Sequence, residues 1–302
     1  TAPVLPLEPE KKTPSIFHRP EKKTPADQLS HALALTQAGR FRKARRQYRA
    51  LVHEWHNVSE AADAQFAYAK LLMKAQRYVR AFDEFQYLID HYAGRFPYYE
   101  VLQHQFTIAN HLRTVRRGKW FFLPGNESPE RALPLFEKIV ENGPNWELAH
   151  EALYFVGLIN QRMKNYQEAI SAFEAIQTRY PGSRFMAAAC FGRAECLYMI
   201  ARKAPRDESA YHDALSSLWA FSRSYPNDPN ADTAMDYFGE LKTKLAEIYF
   251  KRAVFYDKQK RPKSALIAYT DFVKRFPTMA MAENARDRIA ELETELRKRD
   301  EN

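Results

Sequence analysis

The sequence predicts an all-α fold, a superhelical solenoid of helix hairpins with about thirteen helices, and three observations predict it. Glycine is scarce, with 9 in 302 residues against about 20 at average usage. Aromatics reach 14%. That pairing argues against a Gly-turn-rich β-sandwich or a glycine-loop nucleotide fold, and for helices packed on aromatic anchors. The third observation is a frame that recurs along the chain: a small residue, a bulky one four later and an apolar one seven later. Those offsets lie on one face of a helix.

In chain order, residues 1–25 come first, with six prolines and the pentapeptide EKKTP twice, at 10–14 and 21–25. Proline removes backbone donors and fixes φ, so the segment reads as a disordered tether, about 60–75 Å at ~3 Å per residue. A tether leads from something, so an anchor upstream of Thr1 is expected. The chain opens there without a methionine or a charged-then-apolar leader.

The repeat array is expected over 26–277, in approximate units 26–56, 60–93, 97–144, 146–181, 184–226 and 229–277. The frame is complete, with a proline twelve residues after the small one, at Ala132/Phe136/Ile139/Pro144, Ala169/Phe173/Ile176/Pro181, Ala214/Leu218/Phe221/Pro226 and Ala265/Tyr269/Phe272/Pro277. Two earlier copies, Ala44/Tyr48/Leu51 and Ala81/Phe85/Leu88, lack the proline. Alanine lets two helix backbones approach, the bulky residue fills the gap beside it, and the residue before a proline is driven out of the α region. Ala69, Gly157, Ala194 and Ala253 mark the matching crossings on the first helices. The stretch 229–259 should include a long helix, up to ~46 Å if continuous, with Gly239 as the position where a break is permitted. A C-terminal helix and tail are expected over 278–302.

This frame resembles the tetratricopeptide repeat (TPR). Three stretches, 32–52 (ALALTQAGRFRKARRQYRALV), 165–198 (with its YPGS junction) and 245–292, further resemble the BamD family, lipoproteins of the outer-membrane β-barrel assembly machinery. The resemblance implies a non-enzymatic periplasmic scaffold, tethered to the outer membrane by a lipidated N-terminal cysteine absent from this chain. It implies a protein partner, the barrel-forming assembly subunit, at the C-terminal repeats, and substrate segments at the N-terminal groove. The alternative is another periplasmic TPR adaptor, serving envelope division or peptidoglycan coordination. The chain departs from the family in carrying an extra unit and several insertions.

Binding residues are expected in two places. First helices line the concave side of such an array, which puts Phe66, Lys70, Met73, Lys74, Tyr98 and Tyr99 in a groove for a partner or peptide: an aromatic floor with lysines for a terminal carboxylate. The insertion inside the third unit offers Arg113, Arg116, Arg117 and Lys119, followed by Trp120, Phe121 and Phe122. Cations next to consecutive aromatics suit a membrane surface or a partner. A co-chaperone type of carboxylate clamp is not evident, since the first unit has Leu29 and Leu33 where polar residues are needed.

The net charge of +9 lies wholly in residues 1–125, with 20 Lys/Arg against 11 Asp/Glu, while 126–302 holds 26 of each. Six cations, Arg40, Arg42, Lys43, Arg45, Arg46 and Arg49, fall within ten residues and suit anionic lipid or an acidic partner surface. No recognition module accompanies them, so nucleic acid is not the expected partner. Catalysis finds no motif: GxxxxGK[ST], HExxH, GxSxG and CxxC are all absent. His53 and His56 form a pair without a third metal ligand. Cys190 and Cys196, about 9 Å apart along one helix, are too far apart for a disulfide. Neither a cofactor nor a metal is expected.

Overall fold

The computed structural model describes residues 19–117, 126–127 and 129–300. Contacts divide the chain into two compact units, 1–163 and 164–302. The first holds α1 (Pro25–Gln37), α2 (Phe41–Glu54), α3 (Ser59–Lys74), α4 (Tyr78–His91), α5 (Tyr98–Thr114), α6 (Leu133–Asn142) and α7 (Ala149–Arg162). A two-residue antiparallel bridge, Arg116–Arg117 with Asn126–Glu127, and a 3-10 turn over Pro129–Ala132 join α5 to α6. The second unit holds α8 (Tyr166–Arg179), α9 (Met186–Lys203), α10 (Glu208–Ser224), α11 (Ala231–Lys258), α12 (Pro262–Arg275) and α13 (Met281–Asp300). Each unit is a TPR-like stack of helix hairpins, the fold class that the repeat frame predicts.

The frame is the core. All eighteen of its small, bulky and apolar positions are buried, none more than 4% exposed. Gly157 and the alanines at 69, 194 and 253 are buried on the facing helices. Close packing of this kind leaves no room for growth. A Cβ on Gly192 of α9 would come within 2.7 Å of the Phe173 ring.

The helix stop corrects one expectation. Proline was to end the second helices, yet all six end at the same offset with or without it. The capping residues are Trp55, Tyr92, Gly143, Tyr180, Tyr225 and Phe276, with φ from −121° to −131° and ψ from 32° to 63°. In each, the N–H bonds the carbonyl of the frame's third residue, as Tyr92 does to Leu88. Five of the six are aromatic, and rings such as Tyr225 on Phe221 (5.6 Å) and Phe276 on Tyr249 (5.5 Å) pack inward. At Gly143 a Cβ would sit 2.6 Å from Leu102 and 3.1 Å from Trp146, which supplies the ring instead. Outside Gly143, an aromatic residue thus occupies this cap whether or not proline follows, and Tyr92, with no proline after it, donates its hydroxyl to the His56 carbonyl at 3.0 Å.

The opposite turn, inside the α1–α2, α3–α4 and α11–α12 hairpins, uses a left-handed residue. Gly39 (φ 71°), Gln76 (φ 57°) and Lys260 (φ 54°) each sit one past a helix cap. Their own N–H groups and those of the next residue bond back into the last turn, as Gly39 does to Thr36 and Arg40 to Leu35. This is the Schellman closure.

Gly239, where a break is permitted, does not break α11, which runs 28 residues without interruption. One further expectation needs adjusting. Residues 21–25, read as tether, are the start of the fold. Thr24 caps α1 and Pro25 opens it, where a missing N–H costs nothing. Gln28, fully buried, accepts from the backbone N–H groups of Glu21 and Lys22.

Candidate functional site

The six groove residues expected from sequence lie on α3 and at the start of α5, and the structure gathers only part of them. Phe66 and Lys70, four apart on α3, share a face. Lys70 Nζ stands 4.8 Å over the Phe66 ring and 3.0 Å from Glu100 Oε1. Two residues of α5 that sequence reasoning passed over complete the cluster. Glu100 and His104 are four apart, a spacing that signalled a shared face. The His104 ring stacks on Phe85 at 5.1 Å and 17°, lies 6.0 Å from Phe66, and its Nε2 is 3.4 Å from Glu100.

The result is a Lys–Glu ion pair over a shelf made of Phe66, Phe85 and His104. The hydrogen bond from Lys70 holds the Glu100 carboxyl below its usual range. Burial, then the nearby Lys70 charge, pushes His104 down, so its imidazole is neutral at pH 7. Chemically, the shelf can trade one carboxylate for another, because an incoming carboxylate would compete with Glu100 for Lys70.

The other groove residues go elsewhere. Lys74 Nζ lies 4.0 Å over the Phe41 ring of α2. Met73 is half-buried. Tyr98 packs on Phe96 (5.8 Å) and donates its hydroxyl to the Asn142 carbonyl at 2.7 Å, closing the end of α6. Tyr99 is 69% exposed, the one ring of the set facing outward.

At the insertion, Arg113 turns inward. Its guanidinium lies 4.1 Å over the Phe155 ring and donates to Asn110. Along the bridge the backbone of Arg116 lies opposite Glu127 and that of Arg117 opposite Asn126. Lys119, Trp120, Phe121 and Phe122 lie outside the described residues. A cleft of about 270 Å³ opens at the foot of this insertion, lined by Arg113, Thr114, Pro129, Leu158, Ile159 and Arg162.

In the second unit, Phe255 of α11 and Ile267 of α12 are 56% and 71% exposed. Such large apolar side chains on second-unit helices are candidates for a partner contact. Among the described residues no group of three or more His, Cys, Asp and Glu could hold a metal ion, and no helix is long and apolar enough to cross a membrane. Cys190 and Cys196 are free thiols, and burial pushes Cys196 up to about 12.

Helix hairpins closed on an Ala–aromatic frame define a TPR-like helical-repeat fold. Residues 29–98 and 125–184 match the tetratricopeptide repeat family model. Residues 186–302, from α9 to the end, match the model of an outer membrane lipoprotein family, so over this stretch the chain is BamD-like. No curated protein sequence matches it. Among solved structures it is similar to a tetratricopeptide repeat protein from Parabacteroides merdae, at 13% identity over 89% of this chain and 98% of that one, TM-score 0.34. The C-terminal part of a TPR repeat-containing protein from Cytophaga hutchinsonii is similar at 16% identity over 88% of both chains, TM-score 0.33.

Proposed function

We propose that this chain is a non-enzymatic periplasmic scaffold of outer-membrane β-barrel protein assembly, held at the membrane by an N-terminal lipid anchor. The observation that carries the reading is the lipoprotein-family match over α9–α13. Both matched families are non-enzymatic scaffolds. In this reading the second unit docks on the barrel-forming assembly subunit, with Phe255 and Ile267 as apolar contacts. The shelf around Phe66 and Lys70 receives the aromatic-ended terminus of an incoming barrel chain, whose carboxylate replaces Glu100 at Lys70. Lys119 and the Trp120–Phe121–Phe122 run, together with Arg116 and Arg117, form a membrane- or partner-facing loop.

The test is affinity purification of the full-length protein from its native membranes, with identification of what accompanies it. A large outer-membrane barrel subunit at near-equal amount is expected. The exchanges Phe255→Ser and Ile267→Ser, made together on exposed positions, should reduce its recovery about tenfold while leaving the melting temperature unchanged. Recovery of division or peptidoglycan proteins without that barrel would overturn the reading.

A further inference from the structure

The run of arginines on α2 does not stand alone. Arg42, Arg45, Arg46 and Arg49 of α2 face Arg77, at the turn into α4, and Arg80 of α4 across a cleft of about 390 Å³. Tyr68 and Leu72 of α3 form its floor. Six guanidinium groups therefore line one concavity, and Arg77 and Arg80 lie far from the others in sequence. Among the described residues, Arg42, Arg45, Arg46, Arg77 and Arg80 make no ion pair. Arg80 donates to the Tyr68 hydroxyl at 3.4 Å, and its charge is felt by the nearby Asp83 carboxyl without forming an ion pair. Glu84 lies at one end, but its carboxylate already accepts from Gln65 at 2.7 Å.

Arg45 is the centre of the cluster. Its Nη1 is buried with no hydrogen-bond partner among the described residues. Burial, then Arg77, with Arg42 and Arg80 after it, pushes its guanidinium down, partly offset by Tyr68. A buried donor left unbonded among like charges is costly, and an anion seated between the helices would relieve both terms at once.

The second unit shows that the fold does not require this charge. The cleft between α8, α9 and α10, about 590 Å³, is lined at the same frame positions. There Gln167, Ile170 and Glu174 stand where α2 has Arg42, Arg45 and Arg49, and Asp213 stands where α4 has Arg80. The groove is a product of the repeat, and the arginines are particular to this copy of it.

We propose that the arginine cleft between α2, α3 and α4 is an anion site for a phosphate group, of the kind carried by an anionic lipid headgroup or by a free polyphosphate. Arginine presents paired N–H donors that match phosphate oxygens. The proposal is independent of the assembly role, since no residue of the shelf or of the second unit takes part.

Inorganic pyrophosphate is the probe, titrated calorimetrically into the full chain with chloride holding ionic strength constant. Saturable binding is expected, with a rise in melting temperature. The triple exchange Arg45→Gln, Arg77→Gln, Arg80→Gln should weaken it at least about tenfold, and Lys263→Gln, on exposed α12, should leave it unchanged. If the triple variant does not fold, Arg77→Gln with Arg80→Gln, both on exposed side chains, serves in its place. Sedimentation with phosphatidylglycerol and phosphatidylcholine vesicles identifies the source. Retention on the anionic vesicles that pyrophosphate displaces assigns a headgroup, and pyrophosphate binding without vesicle retention assigns a free phosphate. No pyrophosphate binding, or equal binding by wild type and the arginine variants, would overturn the site.

Discussion

Gln28 shows how much a single polar side chain can carry. Fully buried, it receives two backbone N–H groups and donates to both the carbonyl and the side-chain oxygen of Gln47. Gln28→Leu should therefore leave several groups unsatisfied and cost about 1–3 kcal/mol, read as a lower melting midpoint in urea. Nothing in the sequence marked this glutamine, because a polar residue on an apolar face is identified as bonded only when its partners are known. Gln65 with Glu84 and Gln105 with Gln86 are further cases. The same limit hid Glu100 beside Lys70. A second residue-scale contact is acid-sensitive. Arg288 of α13 grips Asp257 of α11 through two bonds, 2.7 and 2.8 Å, and that pairing holds the Asp257 carboxyl below its ordinary value. A depressed carboxylate stabilises above its unfolded pKa, about 3.9, and the contribution disappears as pH falls through the lower folded value. The urea midpoint of the second unit should thus fall below pH ~4 in wild type, and Arg288→Ala should lower it at neutral pH.

At the scale of the element, the frame was legible in the sequence because it is periodic and apolar, and all of it is in the core. The stops were legible only in part. Proline is conspicuous, whereas an aromatic cap such as Trp55 or Tyr92 looks like any other ring until the turn is seen. At Gly239 the sequence leaves a continuous helix and a break both open, because glycine permits a break but does not impose one, and α11 runs straight through it. Two glycine exchanges separate these effects. Gly239→Ala meets nothing within 4 Å and should stabilise the second unit by about 0.5–1 kcal/mol. Gly192→Ala meets the Phe173 ring and should destabilise it by about 1–3 kcal/mol, the cost of overpacking. Thermal melts of the pair should move in opposite directions, although propensity alone favours both.

For the whole molecule, the charge imbalance that the sequence displays has a local address. Much of the N-terminal excess gathers on one cleft, whereas the equivalent cleft of the second unit holds Asp213 and an Arg193–Glu174 ion pair in place of the arginine cluster. Composition reported the excess but could not report the gathering, since Arg77 and Arg80 meet α2 only through the hairpin turn. The helix α11 has a different consequence. It packs against α9 and α10 on one side and α12 on the other, within a single continuous core that reaches Leu292. Neighbouring hairpins normally meet across a turn where one can loosen while the other stays closed. Here they share a wall, so the end of the chain opens as one block or not at all, and a partner that grips any part of it holds the rest.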